Sequence, residues 1–356
     1  MARLAKRSVG SGTQALFRDL LDKFSMIQWC RYNPQTDGDW DQQLKRLQGS
    51  NFYQTAGWGE VKQKAGWQVT RLVALNAGTI VAMALVLFRR QPLRGAVAWL
   101  PGGVCGELTT WAGSLKNALK SELAVLWLYL RSNQIGYEQV ERLKALLRRE
   151  KWSQPSVKLN SGLSLLYDTK RSQPDRLMAM SANWRHNLKR SRKHELRFER
   201  WIEPDAASII KIYRAMESLK GLASQVSHGE LEAMFFYLKD SLVLFKCETA
   251  QGEVIAIRAY AHFNNQAFDL LAAAAPIARK LYASHGLLWA LINDCHEKGI
   301  GRYDLGGVDP VLNKGVYDFK HGVGSELITY LGEWECASPP VLKFLLSVAL
   351  RFKKKS

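Results

Sequence analysis

The sequence predicts an α/β protein with mixed sheets, built as two tandem units of one kind, and three observations carry that reading. A hairpin pattern occurs twice: "TRLVALNAGTIVAMALVLF" (70–88) sets two apolar strands around Asn76-Ala77-Gly78, and "SLVLFKCETAQGEVIAIRAYAHF" (241–263) does so around Gln251-Gly252. Each hairpin is followed by a stretch of helical period, "NALKSELAVLWLYL" or "ARKLYASHGLLWALINDCHEKG". Each helical stretch leads into another strand-like piece, which in the second copy is "RYDLGG".

Taken in chain order, residues 1–35 read as a basic, helical N-terminal extension. "MARLAKRSVGSGTQALF" begins like a signal peptide but lacks the apolar run that one needs. The first unit spans 36–160, and its best apolar run, "TIVAMALVLF", is about half a membrane span, so no transmembrane helix is expected. Pro, Ser and Asn break the periodicity in "SQPSVKLNSG" (153–162), which marks the boundary.

The second unit spans 161–335. Near its start stands "NWRHNLKRSRKHELRFER" (183–200), where Arg185, Lys189, Arg190, Arg192, Lys193, Arg197 and Arg200 are set against Glu195 and Glu199. On a helix these cations cover much of the circumference and leave Trp184, Leu188 and Leu196 to pack, which favours an anion-binding face over a merely solvated one. Aromatics are few there, so sequence-specific RNA reading is not expected. Residues 336–356 end in "PPVLKFLLSVALRFKKKS", an apolar helix opened by proline and closed by a basic tail. It is expected to pack back on the first unit and to offer a contact to anionic lipid.

Composition narrows the partners. The chain has 356 residues, 47% of them hydrophobic, enough for a substantial core, and Lys+Arg 50 against Asp+Glu 32 gives a net charge of +18. Such a field draws polyanions: RNA, phosphorylated substrates or anionic lipid. The five cysteines lack CxxC spacing, which argues against zinc and disulfides and for a reducing cytoplasm. No HExxH, GxSxG, Walker loop or GxGxxG is present, and the histidines have no ligand spacing, so neither metal nor bound cofactor is expected. Without a covalent nucleophile, the chemistry that remains is the positioning of two substrates, one already activated.

In order along the chain come "SNFYQTAGWGEVKQKAGWQVTRL" (50–72), "LPGGV" (100–104), the basic stretch, "YDLGG" (303–307), "GVYDFKHGVGSE" (315–326) and "YLGEWE" (330–335). From Trp40 to the C-terminus this resembles the Fem family of aminoacyl-tRNA-dependent peptidoglycan transferases, whose members attach amino acids to the stem peptide of a cell-wall precursor. The resemblance implies two acetyltransferase-like (GNAT) domains, in agreement with the duplication. The CoA-pyrophosphate turn of acetyltransferases is not visible in either half, which disfavours CoA as donor.

The resemblance also implies roles. Lys320 matches the family lysine beside the reacting ester, where a fixed cation would stabilise the tetrahedral oxyanion, and Phe319 would shape the channel next to it. Lys62 matches a position that binds the precursor's phosphates. Lys220 stands beside Leu219, where the family can carry an arginine for the diphosphate, and is the substitute. Arg185 and Lys189 are the candidate contacts of the basic face, and Asp304 would orient Lys320 or receive a proton. Asn133, two residues after Arg131, occupies the place of an acid found in some members, so no general base is assigned.

The expected activity is transfer of an amino acid from aminoacyl-tRNA to an amine of a stem peptide or similar phosphate-bearing or lipid-linked acceptor. The protein is expected to be a cytoplasmic monomer whose basic tail reaches the inner face of the membrane. Two rivals stand beside this: a GNAT-fold transferase of polysaccharide, lipid or peptide natural-product biosynthesis, and a non-enzymatic RNA- or membrane-surface-binding protein.

Overall fold

In a computed structural model, which describes residues 27–136, 138–221, 223–224 and 226–353, the chain forms two seven-stranded mixed sheets. Of the expected helical N-terminal extension (1–35), residues 1–26 lie outside the described residues, as does the end of the basic tail from residue 354, while Gln28–Arg31 is a strand of the first sheet.

The first sheet contains β1 (Gln28–Arg31), β2 (Gln68–Asn76), β3 (Thr79–Gln91), β4 (Gly95–Leu100), β5 (Cys105–Gly106) and β6 (Trp127–Gln134). The second contains β7 (Leu163–Asp168), β8 (Arg197–Arg200), β9 (Leu242–Glu248), β10 (Val254–Phe263), β11 (Gln266–Ala274), β12 (Arg302–Gly307) and β13 (Glu326–Thr329). The last strand, β14 (Gly332–Ser338), returns to the first sheet and pairs antiparallel with β6, giving the orders β1-β2-β3-β4-β6-β14, with β5 on β3, and β13-β7-β12-β11-β10-β9-β8.

Both hairpins form where the sequence places them. At the first turn Ala77 and Gly78 have φ of 48° and 80°, the positive pair that a two-residue hairpin turn of right-handed twist requires. At the second, Gly252 has φ 83° and the Thr249 N–H donates to the Glu253 carbonyl at 2.9 Å.

The helices that bear on the site are α1 (Ala56–Lys64), α2 (Leu115–Glu122), α3 (Ala182–Ser191), α4 (Ala206–Lys220), α5 (His228–Tyr237), α6 (Ala283–Glu297), α7 (Lys314–Gly322) and α8 (Leu342–Lys353). Two helical expectations need correcting. "NALKSELAVLWLYL" is helical only to Glu122; Ala124 takes φ 51° and the rest enters β6, whose apolar first half suits a strand buried on both faces. The basic helix stops at Ser191, and the cations beyond it lie on a turn, with Glu195 at φ 48°, and on β8. Trp184 and Leu188 are buried as expected, whereas Leu196 falls past the helix end.

Three apolar cores hold these layers. One lies behind the first sheet around Trp111, Leu128 and Trp334, and one behind the second around Tyr303, Leu288 and Tyr260. The third joins the units, packing Phe52, Trp58, Met83 and Leu85 with Ile209, Ile257 and Phe268. At about 1.5–3 kcal/mol for each fully buried large side chain, this shared core makes the two units one cooperative body.

Candidate active site

Each sheet has one parallel neighbour pair among its described strands, β4 with β6 and β11 with β12. The first pair stays together over six register positions, from Gly95↔Trp127 to Leu100↔Ser132. The second pair is joined only from Gln266↔Arg302 to Phe268↔Asp304, after which β11 and β12 part. Parting parallel strands open a crevice at their C-terminal ends, the usual place for a ligand in an α/β sheet. A shift of register in β11, where Asp269 stands opposite Tyr260 and Leu271 opposite Ala259, turns Asp269 toward this gap.

Lys320 reaches the gap from α7. Lys314–Gly322 is helical, and this fixes its approach. Gly322 and Gly324 permit close packing: a Cβ at 322 would lie 3.1 Å from Trp184, and one at 324, where φ is 98°, 2.9 Å from Ala179. Gly315, at the other end of α7, has open space around it.

The Lys320 side chain is 13% exposed, and its Nζ lies 4.0 Å from Asp269 Oδ2. That distance exceeds a hydrogen bond. Asp269 is taken up elsewhere: Arg258 binds it in a fork, Nε to Oδ1 and Nη2 to Oδ2, both at 2.8 Å, and the Tyr303 hydroxyl donates to Oδ1 at 2.9 Å. Among the described residues, the Lys320 ammonium donates no hydrogen bond at all. Burial, with the nearby Arg258 cation, pulls its pKa below the ordinary lysine value, while Asp269 and Asp304 pull it back. A Cβ on Gly306 would lie 3.5 Å from Nζ, so this glycine keeps the backbone flat beside the ammonium.

Asp304 is buried and receives the Ser164 hydroxyl, the Tyr330 hydroxyl and the Gly306 N–H, the last at 2.9 Å. Burial raises its pKa against the pull of these donors and of Lys320. It therefore borders the site as a hydrogen-bonded carboxyl group rather than as Lys320's direct partner. Asp318, two residues before Lys320, is exposed and paired with Lys314 at 2.6 Å.

Phe319 works through both of its ends. Its carbonyl accepts from Trp184 Nε1 at 2.9 Å, and its ring meets His285 edge-on at 5.1 Å. Burial lowers the His285 pKa to about 4, so this ring is neutral near pH 7. Phe319, His285, Tyr282, Arg279, Leu219 and Lys220 line one cleft of about 420 Å³. A smaller cleft of about 130 Å³ shares Lys220 and is lined also by Arg258.

The other predicted residues lie apart from this group. Arg185 and Lys189 are exposed on α3; Arg185 Nη1 donates to the Met178 carbonyl at 3.1 Å. Lys62, on α1, is 2.8 Å from Glu230 on α5 and 4.4 Å above the Trp58 ring, so its charge is neutralised at the contact between units. Among the described residues no cluster of three or more His, Cys, Asp or Glu is placed to hold a metal.

Several members of the site escaped the sequence reading. Arg258 and Asp269 sit alone in the apolar strands "VIAIRAYAHF" and "QAFDLLAAA", and a lone charge inside such a run has to be paired or functional. That signal was available. Tyr53, from the first unit, was not marked: its ring is held by Phe268 and Trp58, each at 5.6 Å, and its hydroxyl has no hydrogen-bond partner among the described residues. Burial, then Asp304 and Asp269, raise its pKa, which sets the phenol in the field of the carboxylates around Lys320.

No curated protein matches the chain by sequence. The FemAB family model matches residues 244–350, which include β10–β12, α7 and β14. Among solved structures, FemX superposes with a TM-score of 0.70 at 14% identity, over 86% of this chain and 96% of that one. L-PGS from Bacillus licheniformis gives a TM-score of 0.53 at 12% identity over 89% and 96%. A tandem GNAT protein from the clavulanic acid biosynthesis pathway gives 0.51 at 10% over 87% and 98%. Likenesses at such identities concern the fold, and the fold is that of tandem GNAT-like domains. The FemAB match falls on the strands and helix that build the Lys320 site, and the chain shares the tandem GNAT-like fold of FemX.

Proposed function

We propose that the protein moves an amino acid from its tRNA ester to an amine of a cell-wall stem peptide or similar phosphate-bearing acceptor. The observation that carries this reading is the Lys320 ammonium, largely buried beside parted parallel strands and with its hydrogen-bond donors unspent. The neutral amine attacks the ester carbonyl, a C–N bond forms, and charge gathers on the carbonyl oxygen. Lys320 stabilises that oxyanion. The C–O bond then breaks, the tRNA hydroxyl leaves, and the proton shed by the amine ends on that oxygen. A donor of this kind is commonly worth about 3–4 kcal/mol in the transition state. Phe319 holds the wall of the donor channel, Lys220 and Lys62 meet acceptor phosphates, Asp304 fixes the polar floor, and the basic tail touches the inner face of the membrane. Lys62 has to release Glu230 to take its part.

The α3 face, with Arg185 and Lys189, follows the tRNA backbone. Reversing Lys189, Arg192 and Lys193 to glutamate is expected to raise KM for charged tRNA about tenfold or more, with kcat kept and the effect shrinking as salt rises. Tyr53→Phe is expected to lower kcat about tenfold with an unchanged melting temperature, because the lost hydroxyl has no partner inside the protein. The decisive experiment gives purified protein charged tRNAs with soluble stem-peptide precursors and with lipid acceptors. Product that persists after RNase treatment of the donor rejects the tRNA ester, and product on lipid alone moves the acceptor out of the cell wall.

A further inference from the structure

Three segments distant in sequence end at one edge of the first sheet. Gln91 is level with Gly95, so Pro92-Leu93-Arg94 forms the tip between β3 and β4. Gly95 is level with Trp127, the first residue of β6, and Leu128 is level with Ser338, the last of β14, so α8 starts at this same edge. Cross-links tie the segments together. The Leu126 N–H donates to the Arg94 carbonyl at 2.7 Å, Trp127 Nε1 to the Pro92 carbonyl at 3.2 Å, and Lys120 Nζ to Ser338 Oγ at 3.2 Å.

Large apolar side chains stand in solvent along this edge: Leu93 is 83% exposed, Leu126 59%, Val341 58%, Phe344 68% and Leu345 55%. One such residue is ordinary on any surface, whereas five on one edge mark an interaction site. Cations surround them. Arg89, Arg90 and Arg94 are exposed on the hairpin, and Lys120 on α2 and Lys343 on α8 stand half-buried behind them. Arg89 lies 4.7 Å over the Trp67 ring, and Glu122, an acid at the end of α2, faces Arg31 at 3.7 Å. Leucine and phenylalanine tips inside a ring of arginine and lysine match a bilayer whose apolar interior lies beneath phosphate groups. A protein partner would need no such rim of one sign.

We infer that this edge, formed by the β3–β4 tip, Leu126 and the first turn of α8, docks the protein on an anionic bilayer surface. It gives the membrane contact of the proposed function a second place beside the basic tail and rests on that reading for its purpose. Its test is separate. The full chain is sedimented with vesicles of phosphatidylglycerol and phosphatidylcholine and with vesicles of phosphatidylcholine alone. Wild-type protein is expected on the anionic vesicles, with binding weakened by salt. Leu93→Glu combined with Leu126→Glu should lower that binding more than tenfold, and Arg89→Gln with Arg94→Gln by about twenty-five-fold, at about fivefold for each lost cation.

Both pairs are exposed, and circular dichroism with a melting curve verifies folding. Transfer to a soluble acceptor should be untouched in both variants, so the docking can fail while the transferase reading stands. Wild-type protein that ignores anionic vesicles, or a leucine variant that binds them as well as wild type, overturns the inference. So does a self-association that the leucine variant abolishes without any vesicle binding.

Discussion

Replacing Lys320 by methionine is expected to lower kcat for transfer about 10²–10³-fold, with the KM of both substrates nearly unchanged, in single-turnover assays with charged tRNA. The same change should leave the melting temperature at or above that of the parent, because the ammonium is buried without a hydrogen bond among the described residues. A variant that keeps full activity removes Lys320 from the chemistry; one that unfolds gives it a structural role instead. Burial lowers this group's pKa from the usual 10.5, and the two consequences for pH have opposite signs. Activity needs the cation and falls as pH rises through the lowered pKa. Stability rises between that pKa and the ordinary value, because there the unfolded chain holds more protons than the folded one. The methionine variant should lose that rise.

The second large effect concerns stability. Arg131 on β6 donates to Glu333 on β14, with side chains 7% and 3% exposed, and Arg131 Nη2 also donates to the Val157 carbonyl at 2.6 Å. Glu333 accepts in addition from the N–H groups of Leu159 and Asn160, at 2.9 and 2.8 Å. Arg131→Ala leaves a buried carboxylate without its cation and is expected to cost about 3–5 kcal/mol in urea denaturation. Arg131→Met with Glu333→Leu should recover a good part of that. Equal losses in the single and double variants would mean that packing, rather than charge, holds this joint. The acid sought at Asn133 thus stands opposite it in register, at Glu333, and serves the fold.

How far the residues announce the structure follows from the range of their interactions. The hairpin turns were legible because Asn76-Ala77-Gly78 and Gln251-Gly252 need only their neighbours to bend. Lys320 was legible through the order of motifs around it. Arg258 and Asp269 are 11 residues apart and meet only because β10 and β11 pair, and Tyr53 joins them only through the core between the units. Periodicity failed in "LAVLWLYL", where an apolar run satisfies helix and strand alike until pairing partners decide. It failed again after Ser191, where a positive φ at Glu195, invisible in a list of cations, ends the helix's reach.

The path of β14 also governs the order in which the chain can be built. On the ribosome the first unit emerges early, yet the edge of its sheet at β6 stays unpaired until β14 appears, after nearly all of the second unit has been made. An open strand edge is a site for wrong pairing, so slow synthesis or truncation before Gly332 leaves a nascent chain prone to aggregate. For the same reason a cut near residue 160 would not release an intact first unit. Its sixth strand position is filled by the far end of the polypeptide, and the two halves can mature only together.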